Sequence, residues 1–406
     1  MNLIKTVCLT IMLVSWSYFK KAQAQTNTSA DFGSFIHYYG DLSNFRYLLK
    51  HEKEINVAFL GGSITKNDGW RDQVGEYLKS SYPNISFNLL NAGIPSLGSV
   101  PHAFRFKEDV LAKGKVDLLF IESAVNDRGN GTPEIQQRRA LEGIVRQALK
   151  SNPHTDIILM AFADELKMED YRSGKVPPEV GIHQEIASKY KLPFINFAEE
   201  VTRRIDNKEF SWKEDFKNLH PSPFGQEVYF RSIQNLFERL RSKVVTASGL
   251  SAHELPRAME MKNYCSGRYV PVSQAQSIKG FQLNPAWKPK DGARTRPGFA
   301  NRPVLEGEGA GAELHFNFQG DAVGIAVNSG PDAGVIEYSI DGGALKEIDL
   351  YTPWSKSLHL PWYLVLGDNL NAGTPHHLMI RIKNSKNTAS KGQACRIVHF
   401  LVNSFL

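Results

Sequence analysis

Between residues 55 and 241 the chain alternates short, nearly continuous apolar runs with longer amphipathic ones. The apolar runs have the length of strands and predict a parallel sheet buried on both faces. The last amphipathic run carries Pro223 in its first turn behind a capping Ser222, which predicts a helix start. The predicted strands are 55–60, 86–93, 116–123, 156–163 and 192–198, and the predicted helices are 70–82, 133–150, 179–190 and 222–244. Strands that alternate with helices in this way predict an α/β domain of three layers.

The pattern changes after a polar, linker-like stretch at residues 248–257. Apolar and polar residues then alternate over strand lengths, and Asp341-Gly342-Gly343 between two such runs predicts a hairpin. The alternating runs are 312–320, 322–330, 334–343 and 376–384. We predict an α/β domain at 55–245, a linker at 246–264 and a β-sandwich or jelly roll at 265–406.

The first 24 residues have the features of an export signal. Lys5 precedes an apolar run at 7–18, and Ala22-Gln23-Ala24 supplies the small residues that a signal peptidase requires. The run is too short to span a bilayer stably, and no later segment approaches about 18 apolar residues. We therefore predict a signal peptide at 1–24, an N-terminal extension at 25–54, and a secreted or periplasmic protein without stable membrane insertion.

Length, charge and cysteine content narrow the class of protein further. A chain of 406 residues suits two or three domains. Loss of the leader removes three lysines, so the formal charge falls from +6 to +3, and no basic stripe predicts a nucleic-acid partner. Cys265 and Cys395 remain, and the sequence is compatible with one disulfide between them or with two buried thiols.

Four short segments place polar residues at the same predicted edge of the sheet. They are 61–65, 91–99, 122–127 and 217–222. A Gly-Gly-Ser turn alone is equally compatible with a capping serine. In order and spacing, however, the four segments resemble those of the SGNH/GDSL hydrolases, over roughly residues 55–241. The resemblance implies a flavodoxin-like fold and a carboxylic ester hydrolase that needs no cofactor.

The resemblance also implies catalytic roles. Ser63 would be the nucleophile and His220 the base that takes its proton, since a hydroxyl is a weak nucleophile without such a base. An oxyanion hole would be formed by the Ser63 backbone N–H, the Asn126 side chain and a backbone N–H of either Ser96 or Gly98.

Two positions depart from the family pattern. Gly62 stands where the family has an aspartate before the serine, and Lys217 where it has one three residues before the histidine. Asp215 lies five residues before His220. Either Asp215 reaches the imidazole and completes a triad, or a backbone carbonyl orients the ring and the enzyme uses a dyad.

Other residues suggest contacts with a substrate. Arg71, Arg105 and Arg128 lie near the predicted edge and are candidates for binding a substrate carboxylate, or for internal salt bridges. Trp354 and Trp362 are candidates for stacking on sugars or for core packing. We predict no metal site, since the adjacent His376 and His377 would face opposite sides of a strand.

The leading hypothesis is an exported esterase that hydrolyses O-acyl esters, foremost O-acetyl esters, on oligo- or polysaccharides. One alternative is a lipid or thioester acylhydrolase. Another is a non-catalytic carbohydrate-binding protein on an SGNH scaffold, which Lys217 favours. A glycosidase would require a pair of carboxylates such as Glu122 and Asp127.

Overall fold

The computed structural model describes residues 35–242, 249–296 and 298–404. The predicted signal peptide lies outside the described residues. Within them, no helix combines the length and the apolar character needed to cross a membrane.

The first domain is built on a six-stranded sheet. Its strands are β1 (Ile36–Tyr38), β2 (Glu54–Gly61), β3 (Ser86–Gly93), β4 (Leu118–Glu122), β5 (Asp156–Met160) and β6 (Pro193–Ile195). Their order is β1-β6-β5-β4-β2-β3, with β1 antiparallel to β6 and the other pairs parallel. The five parallel strands have the flavodoxin-like order, so the predicted α/β fold is confirmed.

Helices cover both faces of this sheet. They are α1 (Ser43–His51), α2 (Ser63–Lys66), α3 (Trp70–Ser81), α4 (Ser99–Asp109), α5 (Ala124–Gly129), α6 (Glu134–Ser151), α7 (Glu165–Arg172), α8 (Pro178–Lys189), α9 (Phe197–Asp206) and α10 (Pro223–Arg241). An apolar cluster lies between the helices and the sheet on each face. Every residue of β4 and β5 is buried, which explains why these strands are continuously apolar.

The last predicted strand, 192–198, is too long. The strand ends at Ile195, because the Asn196 side chain accepts a hydrogen bond from the Glu199 N–H at 3.1 Å and starts helix α9. The segment predicted as an N-terminal extension contributes β1 and α1 to the domain.

The second domain consists of two facing sheets. Its strands are β7 (Gly267–Pro271), β8 (Gln276–Lys279), β9 (Phe281–Asn284), β10 (Arg294–Thr295), β11 (Val304–Glu308), β12 (Glu313–Gln319), β13 (Ala322–Ser329), β14 (Val335–Ile340), β15 (Lys346–Asp349), β16 (Leu358–Gly367), β17 (Pro375–Ile382) and β18 (Ala394–Asn403). One sheet runs β10-β16-β13-β18-β11-β9, with β7 also on β18, and the other runs β15-β14-β17-β12-β8. An apolar core separates them, which confirms the predicted β-sandwich.

The predicted hairpin joins β14 to β15. Asp341 and Gly342 have φ values of 55° and 70°, and the Gly343 N–H donates to the Ile340 carbonyl at 3.0 Å. Two successive positive φ values define the type I′ turn that the Asp-Gly sequence favours.

The two domains share an apolar interface. Ala322, Ala326 and Leu401 of the sandwich join the apolar cluster that covers one face of the α/β sheet. At the edge of this interface the Arg139 guanidinium of α6 lies 3.0 Å from the Asp368 carboxylate. The interface therefore joins a buried apolar contact to an ion pair.

Candidate active site

Ser63 lies where the chain leaves β2 and begins α2, beside β4, at the point where the strand order reverses. Ligands of doubly wound sheets bind at this switch point. The two preceding glycines are required by close approaches. A Cβ on Gly61 would lie 2.2 Å from Thr65 Oγ1, and one on Gly62 would lie 2.0 Å from Asn126 Oδ1. The absence of the family aspartate at position 62 thus lets the Asn126 amide pack directly against the residue before Ser63.

His220 reaches the same point from a loop before α10. Its Nε2 lies 2.7 Å from Ser63 Oγ, although the two residues are 157 positions apart in sequence. Local bonds shape the loop, since the His220 N–H donates to Asn218 Oδ1 at 2.8 Å and Ser222 Oγ donates to the Asp215 carbonyl. The structure brings together the hydroxyl and the imidazole that the motifs singled out.

The structure does not bring Asp215 to His220. The Asp215 carboxylate accepts a hydrogen bond from the Ser211 N–H at 2.7 Å, within its own turn. Lys217 has φ 84° and turns the chain between the two residues. Among the described residues no carboxylate lies within 4 Å of the His220 ring. Because the Asp215 carboxylate is hydrogen-bonded within its own turn, it does not contact the imidazole.

Asn126 and the loop after β3 lie against Gly62, next to the nucleophile. Ser96 has φ 71°, a conformation that favours glycine, and its carbonyl accepts from Asn130 Nδ2 at 2.9 Å. Gly98 directly precedes α4, and a Cβ there would lie 2.3 Å from Asp127 Oδ1. This contact accounts for glycine at position 98.

Asp127 and Glu122 are structural groups rather than a pair facing a substrate. Both are 1% exposed. Asp127 accepts from the Ser99 N–H and hydroxyl at 2.8 and 2.9 Å, and Glu122 accepts from the Val125 N–H at 3.1 Å. Burial raises the pKa of each carboxyl to about 7. A glycosidase pair is therefore not formed by these residues.

The three arginines proposed to bind substrate are engaged inside the protein. Arg105 is fully buried and also donates to the Ala92 carbonyl at 2.6 Å, so it cannot contact a substrate. The closest carboxylates are Asp72 to Arg71 at 2.7 Å, Asp109 to Arg105 at 2.9 Å and Asp170 to Arg128 at 2.5 Å. The assignment to substrate binding is wrong for Arg105, and internal ion pairs explain Arg71 and Arg128.

An arginine of the second domain lies close enough to His220 for its charge to affect the imidazole. The pKa of His220 lies below its usual value, mainly because the ring is partly buried and also because of the positive charge of Arg296. Arg296 directly follows β10, and its N–H donates to the His359 carbonyl at 3.2 Å. Sequence reasoning missed this residue because no motif surrounds it and it lies in the other domain.

The structure also locates the two tryptophans and the two cysteines considered in the sequence analysis. Trp354 is 54% exposed, so it is not a core residue, while Trp362 is half-buried beside a cavity between the domains. Cys265 and Cys395 are both buried free thiols, which decides against the disulfide.

One group of described residues has the spacing of a metal site, namely Asp291, Asp332 and His359 in the second domain. Arg396 already binds both carboxylate oxygens of Asp332 at 2.7 and 2.6 Å. His359 Nε2 lies 3.0 Å from Asp291. Ion pairs and a histidine–carboxylate bond account for the group. His376 and His377 have separate partners, Asp341 and His315.

Comparison with known families decides the class of the first domain. Residues 59–228 match the model of the GDSL-like Lipase/Acylhydrolase family. The chain contains a GDSL-like lipase/acylhydrolase domain. The resemblance inferred from the motifs is confirmed for these residues, and the first domain is that of a carboxylic ester hydrolase.

Two solved structures resemble the whole chain, including the sandwich beside the GDSL-like domain. One is a two-domain esterase (CEX) active on acetylated mannans, 20% identical, with a TM-score of 0.75 over 92% of this chain and 98% of that one. The other is the same kind of esterase co-crystallised with mannopentaose, 19% identical, with a TM-score of 0.74 over the same shares. This likeness shows that the two-domain fold is shared. No curated protein matches the chain in sequence.

Proposed function

We propose that the protein is an exported serine esterase that hydrolyses O-acyl esters, foremost O-acetyl esters, on carbohydrates through an acyl-enzyme on Ser63. The observation that carries the proposal is the 2.7 Å contact between Ser63 Oγ and His220 Nε2. That distance lets the imidazole accept the hydroxyl proton as the oxygen attacks.

The reaction follows from these two groups. Ser63 Oγ bonds to the acyl carbon while its proton passes to His220 Nε2. The imidazolium then protonates the departing sugar oxygen, which leaves an acetyl ester on Ser63. Water, deprotonated by the same imidazole, attacks this ester. The bond between the acyl carbon and Ser63 Oγ then breaks as the imidazolium returns its proton to Oγ, and acetate is released.

Three donors are proposed to stabilise the oxyanion. The Ser63 N–H is at the start of α2, where N–H groups have no partner within the helix. The Asn126 amide packs against Gly62, next to the nucleophile. We assign the third donor to the Ser96 N–H, since the φ of 71° at Ser96 is that of a glycine-like loop position and Gly98 is explained by its contact with Asp127.

We propose a Ser–His dyad rather than a triad. Replacing Asp215 by asparagine should change kcat by less than about threefold, because its carboxylate bonds to the Ser211 N–H and not to the imidazole. Steady-state kinetics on an acetyl ester measure this effect. A loss of about 10³ or more would show that Asp215 supports the imidazolium in the working enzyme.

The pH profile should reflect the lowered pKa of His220. Only the neutral imidazole accepts a proton. The midpoint of the acidic limb of the kcat/KM profile should therefore lie at a pH below the ordinary histidine pKa of about 6.5. Arg296→Gln removes a cause of the lowering and should move the limb to higher pH. An unchanged limb in this variant would contradict the electrostatic coupling between Arg296 and His220.

The carbohydrate part of the proposal is supported by the groove between the domains. A cavity of about 280 Å³ is lined by apolar residues together with polar and aromatic ones that could contact a sugar, among them Asn130, Gln136 and Trp362. A second cavity of about 600 Å³ shares Gln136 in its wall. The similar two-domain fold of an esterase active on acetylated mannans points to the same substrate class.

The lipid alternative receives less support. An acyl chain requires an apolar trough beside the nucleophile. The apolar cavity between α1, α3 and α10 has a volume of about 110 Å³, and none of the proposed catalytic residues lines it.

The test is acetate release from a panel of acetylated oligosaccharides. Release by the parent protein and not by Ser63→Ala would support the esterase. Binding of the same oligosaccharides without release of acetate would favour the non-catalytic alternative. Hydrolysis restricted to long-chain esters would favour the lipid alternative.

Export is proposed from the leader sequence. Expression of the full chain in a bacterial host and N-terminal sequencing of the secreted or periplasmic product should show a first residue near Gln25. An uncleaved cytoplasmic product would contradict this part of the proposal.

A further inference from the structure

We propose that Arg296 of the sandwich domain binds a carboxylate carried by the substrate, so that the enzyme prefers acylated glycans containing uronic acid over neutral ones. This inference rests on the proposed function and names its substrate class. It returns to the chemistry first expected of Arg71, Arg105 and Arg128, and assigns it to a different residue.

The first support is the unpaired state of the Arg296 guanidinium. No described carboxylate lies within 4 Å of it, whereas Arg71, Arg105 and Arg128 each form ion pairs. Its Nε is buried and has no hydrogen-bond partner among the described residues. Burial and the neighbouring charge of Arg294 lower the pKa of Arg296, which means that these surroundings destabilise its charged form. A ligand cannot reach the buried Nε, but the Nη groups of this half-buried residue have no hydrogen-bond partner among the described residues and are left for a substrate carboxylate.

The second support is the charge around the reacting groups. Lys66, three residues after Ser63, and Lys217, three before His220, are exposed and have no carboxylate within 4 Å in the described part of the chain. Nearby acids are engaged elsewhere, since Asp68 pairs with Arg71 and Asp215 bonds to the Ser211 N–H. The surroundings of the site therefore favour an anion.

The third support is the effect that the positive charge of Arg296 would have on the imidazolium of His220 during acylation. A cation close enough to lower the pKa of His220 also opposes the imidazolium that forms during acylation. No acidic residue offsets this effect, because Asp215 is not at the ring. A substrate carboxylate bound to Arg296 would neutralise the opposing charge as the imidazolium forms. The guanidinium can bind such a carboxylate through two parallel hydrogen bonds.

The experiment compares two matched substrates. One is an acetylated oligosaccharide that contains uronic acid, and the other is the same oligosaccharide with its carboxyl groups converted to neutral amides and its acetyl groups retained. We expect the parent enzyme to have a kcat/KM at least about tenfold higher on the acidic form. A single charge-assisted hydrogen bond has an effect of about this size. Added salt should reduce the difference.

Variants identify the residue responsible. Arg296→Gln should abolish the preference: kcat/KM on the acidic form should fall by about tenfold, while kcat/KM on the amide form should not fall, because the charge that opposes the imidazolium is lost. Arg296→Lys should restore part of the preference, because the charge is kept and the two-pronged geometry is lost. Arg268→Gln is the matched control, since Arg268 is also a half-buried arginine of the sandwich, located beside Glu108 and away from His220. This control should keep the full preference.

Binding to the Ser63→Ala protein, measured by calorimetry, separates this inference from the proposed function. The acidic form should bind at least about tenfold more tightly than the amide form, and Arg296→Gln in this background should remove the difference. Equal affinities, or an equal loss on both ligands in Arg296→Gln, would overturn the inference while leaving the esterase intact. Absence of acetate release by the parent, with the binding preference present, would instead contradict only the proposed function.

Discussion

Replacing Ser63 by alanine should reduce ester hydrolysis by at least about 10³ and leave the thermal midpoint nearly unchanged. The hydroxyl is the proposed nucleophile, and its Oγ lies 2.7 Å from the imidazole that would accept its proton. Ser63 is partly exposed at the start of a short helix, so alanine removes little packing. Steady-state kinetics on an acetyl ester and a thermal melt measure the two quantities.

The matched control is Ser80→Ala. Ser80 is an exposed serine of α3 whose hydroxyl donates only to the Tyr77 carbonyl, so this variant should keep parental activity. If Ser63→Ala retained activity within tenfold of the parent, Ser63 could not be the nucleophile. A fall in the thermal midpoint of more than a few degrees would mean that the loss reflects folding rather than chemistry.

The second large effect is expected at Asn126. Replacing it by alanine should lower kcat by about 10²–10³ and change KM little, because a donor to the oxyanion acts mainly in the transition state. The amide packs against Gly62, beside the nucleophile, and Asn126 is only partly buried. The measurement is a comparison of kcat and KM on one acetyl ester.

Asn126→Asp provides a sharper form of this test. It keeps the shape of the side chain but replaces the amide donor by an acceptor, so it should be at least as inactive as alanine. The control is Asn88→Ala, an exposed asparagine of β3 that bonds to Glu54 and lies on the sheet rather than at the site. A raised KM with an unchanged kcat in Asn126→Ala would show that this residue positions substrate instead.

The fold was largely predictable because its signals are local. Continuous apolar runs mark β4 and β5, since both faces of these strands are covered, and Asp341-Gly342 marks a hairpin through its positive φ values. The errors have local causes that a pattern does not resolve. Asn196 ends β6 early by capping the next helix, and the edge strand β1 has only three residues.

The sequence by itself determined which residues meet at the centre of the site. The carboxyl ends of parallel strands lie at one edge, so motifs after β2, β3 and β4 and before α10 had to converge there. The resemblance of these motifs to the SGNH/GDSL hydrolases then paired Ser63 with His220 across 157 positions.

Only the tertiary structure decided which charged groups act on that centre. A charge is satisfied by whichever partner lies nearest, and that depends on packing. The Asp215 carboxylate bonds to a backbone N–H of its own turn, and the guanidinium of Arg105 forms an ion pair with a neighbouring aspartate. The charge of Arg296 affects His220 only because the sandwich docks against the helices of the first domain through an apolar interface. Sequence order carries no record of that contact, since no motif spans the two domains.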